Sequence, residues 1–142
     1  MNGVVRYREA EDIGFGYRES GLSECVIMQA ELRLKRGGSG SMELYRKFLG
    51  EKRQTQDLTA RSAGSIFKNP PDAKLSAGQL IERCGLKDAR VGDAVVSRTH
   101  ANFIVNVKNA TFSDVTNLIE MIRETVSREH GIRLETEVTI VR

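Results

Sequence analysis

The sequence predicts an α+β fold, a small mixed sheet covered by helices, because helix-like and strand-like hydrophobic patterns occupy separate stretches of the chain. Apolar residues recur at helical spacing between Val115 and Val126, and again between Met42 and Gln54. Apolar and charged or polar residues alternate from Leu134 to Ile140, as in a half-buried strand. A length of 142 residues suits one domain with a core of its own.

The first third of the chain predicts two strands and a helix. Val4–Tyr7 is compatible with a short strand, and Cys25–Lys35 alternates as a half-buried strand does. The glycine and serine run Gly37–Ser41 suits a linker. A phosphate-binding loop is the less favoured alternative, because the spacing matches neither a P-loop nor the dinucleotide-binding fingerprint. In the amphipathic helix that follows, we expect Tyr45 and Phe48 to belong to the core.

The remaining elements are predicted largely by their end signals. Ser76 and Gln79 form a capping box for a short helix that ends at Gly85, and Cys84 on that helix is expected in the core rather than as a nucleophile. Extended segments are expected at Val91–Val96 and Phe103–Val107. A long helix capped by Thr111 and Asp114 then ends at Gly131, and the alternating segment from Leu134 is the last strand.

Composition excludes several classes of protein. No apolar run is long enough to span a membrane, and Met1–Ala10 lacks the pattern of a signal peptide. Two cysteines, Cys25 and Cys84, are too few for a disulfide framework and are expected to be reduced, which favours a cytoplasmic location. The net charge of +3 is dispersed among acidic residues, which argues against nucleic acid as a partner. His100 has no metal-ligand pattern around it, so we expect no metal and a structural role for this side chain.

The stretch Ser62–Pro71 places chemically active side chains beside residues that turn the chain. Gly64 permits a positive φ, and Pro70 holds the preceding residue out of the helical region. Ser65 offers a hydroxyl, Lys68 a cation and Asn69 both a donor and an acceptor. Composition alone favours an ordinary surface loop over an active-site loop.

Five ordered blocks of the sequence resemble the UDP-N-acetylenolpyruvoylglucosamine reductases, the MurB family of peptidoglycan precursor enzymes. The blocks are FGYRES at 15–20, SAGSIFKNP at 62–70, AGQLIERCGLK at 77–87, VSRTHANFIVN at 96–106 and GIRLETEV at 131–138. Several blocks in the right order are far more specific than one short motif. The short spacing between the first two blocks resembles the compact subtype of the family.

The resemblance implies a reaction and roles for six residues. The family reduces the enolpyruvyl double bond of UDP-N-acetylglucosamine enolpyruvate to give UDP-N-acetylmuramate, with FAD as cofactor and NADPH as reductant. Ser65 matches the proton donor, and Arg18 and Glu137 match the pair that stabilises the enolate. The residues that match or lie near substrate contacts are Asn69, Lys68 and Tyr17.

The resemblance also implies an organisation of the chain. Residues 1–36 correspond to the tail of a flavin-binding domain, 37–60 to a linker and connecting helix, and 61–142 to the substrate-binding C-terminal domain. A glycine-rich flavin-binding region is expected upstream in the family and has no counterpart here, so the chain alone is expected to be inactive. The alternatives are a UDP-sugar-binding module that does no chemistry and, less favoured, a nucleic-acid-binding domain.

Two residues depart from the family pattern. Asp57 stands in place of a proline, which is expected to loosen the approach to the Ser62–Pro71 loop. Asp93 stands in place of a glycine, so we expect this position to be strained or to face solvent.

Overall fold

The chain divides into two units, Met1–Gly37 and Gly38–Arg142. The structure is a computed structural model that describes residues 3–38, 40–55 and 60–141, with Thr55 described by its backbone alone. Each unit is described by itself below. The division of the chain into a flavin-domain tail, a linker and a substrate domain stays a prediction.

The first unit contains little regular structure. Among its described residues, a 3-10 turn spans Ala10–Asp12, and Gly16 and Glu19 form an isolated antiparallel bridge. Within the described residues, neither Val4–Tyr7 nor Cys25–Lys35 forms a strand, so both strand predictions are wrong. Val26 and Leu34 are 71% and 82% exposed. An alternating pattern becomes a strand only when a neighbouring strand pairs with its backbone and another layer of the fold covers its apolar face. The described residues supply neither for these segments.

The second unit carries the helices and the sheet. Its elements in chain order are α1 (Ser41–Thr55), β1 (Ser62–Ser65), α2 (Ala77–Arg83), β2 (Arg90–Val91), β3 (Ala94–Val96), β4 (Phe103–Asn106) and α3 (Phe112–His130). The strand order is β1-β4-β3-β2. Every strand pair that the structure describes is antiparallel. The α+β class is therefore confirmed, with an antiparallel sheet instead of the expected mixed one.

Short connections explain most of this antiparallel pairing. β2 and β3 are joined through Gly92 and Asp93 alone, and residues 97–102 connect β3 to β4. Parallel neighbours would need a crossover of roughly a dozen residues or more. Gly92 has a φ of 55°, and a Cβ there would collide with the carboxylate of Asp114, so the hairpin needs glycine at this position.

The hydrophobic core lies between the sheet and the two helices α2 and α3. Its largest fully buried side chains are Phe67, Leu80, Ile81, Val96, Leu118, Ile119, Ile122, Val126 and Leu134. Each buried aliphatic side chain of this size contributes about 1.5–3 kcal/mol to folding. This core covers one side of the loop that contains Ser65 and thereby makes that loop part of the folded unit.

Both predicted helix caps are confirmed. Capping boxes are present at Ser76 with Gln79 and at Thr111 with Asp114. Gly85 has a φ of 68°, and the bonds from Gly85 N to Glu82 O and from Leu86 N to Ile81 O complete a Schellman motif after α2. Gly131 ends α3 with a φ of 67°.

The helix α1 is confirmed, but its apolar residues do not form core. Tyr45 and Phe48 are 59% and 57% exposed, which corrects the prediction that they pack inside. Amphipathic spacing shows that a helix has an apolar face; it does not supply a surface for that face to cover.

The two departures from the family pattern have different outcomes. Asp57 lies outside the described residues. Asp93 lies outside the positive-φ region, so no left-handed strain arises there, and its half-buried side chain is in part open to solvent. Its carboxylate accepts from Arg90 Nη2 at 2.6 Å and from Asn109 N at 3.2 Å.

Across residues 3–38, 40–55 and 60–141, no helix is long and apolar enough to cross a membrane.

Candidate active site

Ser65 ends strand β1 just after an irregularity in its pairing with β4. Ser62 is opposite Val105 and Ser65 is opposite Phe103, so β1 carries one extra residue in this interval. Gly64, inside the interval, has a φ of 80°. Such a bulge bends the strand and changes the direction of the next side chain. The sequence prediction of a left-handed Gly64 that shapes the loop is confirmed, and Ser65 is half-buried beside it.

Residues 66–68 continue the chain direction of β1 and are bonded on both edges. On one edge, Ile66 N donates to Asn102 O at 2.9 Å. The side chain of Asn102 bonds both backbone groups of Phe67, accepting from its N at 3.0 Å and donating to its O at 2.8 Å. On the other edge, Lys68 N donates to Glu135 O at 2.9 Å and Glu137 N donates to Ile66 O at 2.8 Å. The segment between Ser65 and Asn69 is therefore held tightly.

The pairing on the second edge brings Glu137 to the candidate site. Phe67 and Thr136 form an isolated antiparallel bridge, which places Glu137 opposite Ile66 and Glu135 opposite Lys68. The predicted last strand is thus present only as this bridge and its flanking bonds. By alternation, Lys68 and Glu137 lie on the same face of this pair. The alternation is interrupted before this pair, because β1 is bulged up to Ser65 and because Ile66 N and Phe67 N both bond to Asn102, so it assigns no face to Ser65.

Lys68 has an acidic neighbour on its own face. Its Nζ lies 3.6 Å from Glu135 Oε2, and the two side chains are 34% and 78% exposed. An exposed pair at this separation contributes at most about 1 kcal/mol. The ammonium group is therefore loosely held and remains suitable for an anionic ligand.

The side chain of Asn69 is oriented by the helix that follows it. Its Oδ1 accepts from Ala77 N, the first residue of α2, at 3.0 Å. This bond satisfies a helix N-terminal donor that has no partner inside the helix. It also leaves the Nδ2 donors as the polar groups that Asn69 offers to a ligand. Asn69 is exposed, so a ligand from solvent can reach it.

His100 supports the site from inside. Its Nδ1 accepts from Asn102 N at 3.3 Å, and its ring lies 4.6 Å from that of Phe103. Burial lowers the pKa of His100 below its ordinary value, which favours the neutral ring that this acceptor bond requires. The structural role expected for His100 agrees with these contacts. Within the described ranges, no cluster of acidic, histidine and cysteine side chains could hold a metal ion.

Tyr17 and Arg18 lie in the first unit, at the tip of a tight turn. Gly16 N donates to Glu19 O at 3.0 Å, and the guanidinium carbon of Arg18 lies 5.8 Å from the centre of the Tyr17 ring. Arg18 has a φ of 59°, a left-handed conformation that costs a non-glycine residue on the order of 1–3 kcal/mol. Both side chains are exposed. Their roles beside Ser65 and Glu137 stay predictions.

The structure therefore brings four of the six predicted residues into one unit. Ser65, Lys68 and Asn69 follow one another along the loop, and Glu137 joins them through the Phe67–Thr136 pairing. Sequence reasoning did not assign a role to Asn102, although a signal was present: an amide directly before the apolar strand β4 must find hydrogen-bond partners if it is buried.

An open pocket of about 540 Å³ includes Glu135 in its lining. Its lining residues are Arg123, Arg133, Leu134, Glu135 and Thr136. Ser65 and Asn69 do not contribute to it. We therefore place the candidate active site not in this pocket but on residues 65–69, called the Ser65 loop below. This loop carries the hydroxyl of Ser65, the ammonium group of Lys68 and the amide of Asn69.

Comparison with known proteins identifies the family. Residues 56–141 match the family model described as UDP-N-acetylenolpyruvoylglucosamine reductase, C-terminal domain. The chain is similar to UDP-N-acetylenolpyruvoylglucosamine reductase 2 of Symbiobacterium thermophilum, with 46% identity over 91% of the chain and 42% of that relative. It is 40% identical to the reductase of Chloroherpeton thalassium over 99% of the chain and 48% of that relative.

A solved structure agrees with these sequence matches. The crystal structure of UDP-N-acetylenolpyruvylglucosamine reductase (MurB) from Thermus caldophilus superposes with a TM-score of 0.74 and 39% identity, over 89% of this chain and 45% of that one. The chain thus spans about half the length of the relatives it matches. It belongs to the UDP-N-acetylenolpyruvoylglucosamine reductase (MurB) family, through the C-terminal domain that residues 56–141 match.

Proposed function

We propose that this chain forms the substrate-binding and proton-donating part of a flavin-dependent reductase that converts UDP-N-acetylglucosamine enolpyruvate to UDP-N-acetylmuramate in peptidoglycan precursor synthesis. The observation that carries the proposal is the loop from Ser65 to Asn69, fixed on one edge by Asn102 and on the other by Glu135 and Glu137. A rigid loop that presents a hydroxyl, an ammonium group and an amide donor suits an anionic sugar nucleotide.

Asn69 and Lys68 bind the diphosphate of the substrate in this proposal. The Nδ2 donors of Asn69 are available because Oδ1 is already bonded to Ala77 N. Phosphate oxygens are acceptors only, so an amide held in this orientation favours them over a donor group. Lys68 adds a positive charge, and its exposed pairing with Glu135 is weak enough to be exchanged for a phosphate. Tyr17 is proposed as a further substrate contact.

Ser65 donates the proton that completes the reduction. Hydride added to the terminal carbon of the enolpyruvyl group leaves an enolate, and the carbon beside the carboxylate must then gain a proton. A serine hydroxyl is a weak acid, so its donation requires nearby positive charge to stabilise the alkoxide that it leaves. Lys68, three residues away on the same fixed segment, and Arg18 are the proposed sources of that charge.

Arg18 and Glu137 stabilise the enolate in the proposed mechanism. A guanidinium donates hydrogen bonds to developing negative charge, an effect worth several kcal/mol in a site that excludes water. Glu137 contributes either as a protonated donor or by orienting Arg18 through a paired hydrogen bond. The left-handed conformation of Arg18 supports a functional reason for the Tyr17–Arg18 turn, because strained residues concentrate at active sites.

The reaction also needs FAD, which supplies the hydride when bound and is itself reduced by NADPH. We assign none of the described residues to the cofactor. We therefore propose that residues other than those described bind the flavin, and that the described residues by themselves bind substrate without turnover, in the cytoplasm.

The proposal is tested by calorimetric titration of the chain with UDP-N-acetylglucosamine enolpyruvate, with and without FAD. We expect binding that does not depend on FAD and that persists in Ser65→Ala, because the hydroxyl acts on the reacting carbon and not on the diphosphate. In a complete flavin-containing enzyme, Ser65→Ala should abolish product formation and leave hydride transfer to flavin intact. Ser62→Ala, at the other end of β1, is the matched control. Equal loss of both half-reactions in Ser65→Ala would refute the role of the hydroxyl.

A UDP-sugar-binding module without catalysis is the second candidate. It is favoured by the location of Ser65, Lys68, Asn69 and Glu137 within one unit, which allows binding without Arg18. Substrate binding combined with no turnover after a flavin domain is supplied in trans would favour this candidate over the reductase.

A further inference from the structure

The side chain of Asn102 takes the place of a backbone peptide beside Phe67. Asn102 is 5% exposed, and its Oδ1 and Nδ2 bond the N and O of Phe67 at 3.0 and 2.8 Å. The main-chain O of the same residue accepts from Ile66 N at 2.9 Å. Two successive residues of the loop are thus bonded to one asparagine, as they would be to two residues of a neighbouring strand.

This arrangement extends the β1–β4 ladder past its last regular pair. The ladder ends at Ser65 opposite Phe103, and Asn102 is the residue that precedes Phe103. On the far edge, Ile66 O and Lys68 N are bonded to Glu137 N and Glu135 O. Phe67, whose own side chain is 1% exposed, is therefore fixed by the core and by Asn102 at the centre of the loop.

We propose that Asn102 is a positioning residue for the reaction, an inference that rests on the proposed function of the Ser65 loop. Ser65 lies two residues before Phe67, and Lys68 and Asn69 are the next two residues after it. Rotation of the peptides on either side of Phe67 would move the proton donor and the diphosphate contacts relative to each other. A bidentate amide prevents both rotations, because it engages the donor and the acceptor of the same residue.

Asparagine is required because it carries a donor and an acceptor at fixed separation. Leucine has a similar size and carries neither. An ionised aspartate can accept from Phe67 N, but it would face Phe67 O with a second acceptor. A protonated aspartic acid restores both bonds, and burial beside a carbonyl oxygen raises the pKa of such a carboxyl. Asn102→Asp should therefore hold the loop in acid and release it near neutral pH.

Amide hydrogen exchange in the intact chain tests the proposal without any ligand. We expect Asn102→Leu to speed exchange at Phe67 and Lys68 by about tenfold or more, the effect of losing one or two buried hydrogen bonds. The matched control is Asn106→Ala, at the far end of β4 from Asn102, whose Oδ1 accepts from Lys108 N and Ala110 N. This control should destabilise the fold without a selective change at residues 66–68.

The pH dependence of Asn102→Asp gives the second readout. After correction for the intrinsic effect of pH on exchange, its loop amides should be protected as in the wild type at acid pH and exposed near neutral pH. This measurement also decides the question if Asn102→Leu fails to fold. Exchange in Asn102→Leu that matches Asn106→Ala, or protection in Asn102→Asp that is independent of pH, would overturn the proposal.

Titration with UDP-N-acetylglucosamine enolpyruvate separates this inference from the proposed function. Absence of binding to the wild type would refute the proposed function, while the exchange comparison would still decide whether Asn102 orders the loop. Where the wild type binds, Asn102→Leu should weaken the affinity by about tenfold or more and Asn106→Ala by much less. Equal affinities in the two variants would show that the order imposed by Asn102 is irrelevant to the ligand.

Discussion

Substitution of Asn69 by aspartate separates two properties that one amide combines. In the wild type, Oδ1 accepts from Ala77 N at 3.0 Å, and Nδ2 is the proposed donor to the diphosphate. Asn69→Asp keeps the acceptor oxygen that faces Ala77 N. It replaces the Nδ2 donor with a second oxygen, and the carboxylate carries a negative charge. Asn69→Ala removes both. The stability of the fold and the affinity for ligand should therefore change independently in the two variants.

The expected changes in stability follow from the Ala77 bond. Ala77 is fully buried, so Asn69→Ala leaves its N–H without a partner and should lower the free energy of unfolding by about 1–2 kcal/mol. For a unit of this size, that is a fall of at least about 4 °C in the melting temperature. Asn69→Asp retains the bond and places a negative charge near the start of α2, which is favourable. Its stability should lie within about 0.5 kcal/mol of the wild type.

The expected changes in affinity follow from the lost donor. A hydrogen bond to a charged phosphate oxygen contributes about 1.5–3 kcal/mol, so Asn69→Ala should bind UDP-N-acetylglucosamine roughly ten- to hundredfold more weakly. Asn69→Asp should bind more weakly still, because its carboxylate repels the diphosphate. The prediction is an aspartate variant that is as stable as the wild type and the weakest binder of the three.

Thermal denaturation and calorimetric titration of the same preparations provide the measurement. Asn117→Asp adds the same charge at an exposed position on α3 and serves as the control. Wild-type affinity in Asn69→Asp would refute the argument that Nδ2 contacts the ligand. A loss of stability in Asn69→Asp as large as that in Asn69→Ala would refute the role assigned to Oδ1.

Three further predictions concern the core, one histidine and the two cysteines. Leu118→Ala should lower the free energy of unfolding by about 2–5 kcal/mol in urea titrations, because Leu118 is fully buried. Leu44→Ala, on the exposed face of α1, should change it by no more than about 0.5 kcal/mol. Similar losses at both sites would contradict the described core. Burial lowers the pKa of His100 below its ordinary value of 6.5, so the unfolded chain takes up its proton first as the pH falls. The stability that neutral His100 contributes is complete above pH 6.5 and is lost as the pH falls through the lower pKa of the folded state. His100→Gln should therefore flatten the plot of stability against pH below 6.5. An unchanged plot would show that other groups cause the loss of stability. Burial also raises the pKa of the Cys84 thiol, whereas Cys25 is exposed, so iodoacetamide followed by mass spectrometry should modify Cys25 well before Cys84; equal rates would contradict the packing of Cys84.

Local signals in the sequence predicted the ends of the helices in the second unit correctly. The capping boxes at Ser76 and Thr111 and the left-handed glycines Gly85 and Gly131 depend on contacts between residues a few positions apart. Such contacts form wherever the helix forms, and the local sequence therefore determines them. Gly64 belongs to the same class, since a positive φ is a property of one residue.

The candidate residues of the site were also found from sequence, but through resemblance and not through physical pattern. Ser65, Lys68 and Asn69 are close in the chain and so must be close in space. Glu137 reaches them only because residues 135–137 pair with residues 66–68, a contact across about seventy positions that no local rule contains. Its sequence pattern alone favours a solvated carboxylate on a strand.

The sequence by itself determined which segments could be helical or extended, where helices begin and end, and which family the chain belongs to. The tertiary structure alone decided which apolar faces are covered: α3 is buried against the sheet, whereas Tyr45 and Phe48 on α1 and the alternating residues 25–35 remain exposed. It also decided that Asn102 binds the backbone of Phe67. The physical reason is the same in each case. An apolar face needs a surface to pack against, and a buried amide needs hydrogen-bond partners. Which residues meet these needs, and whether any do, is decided only when the chain has folded.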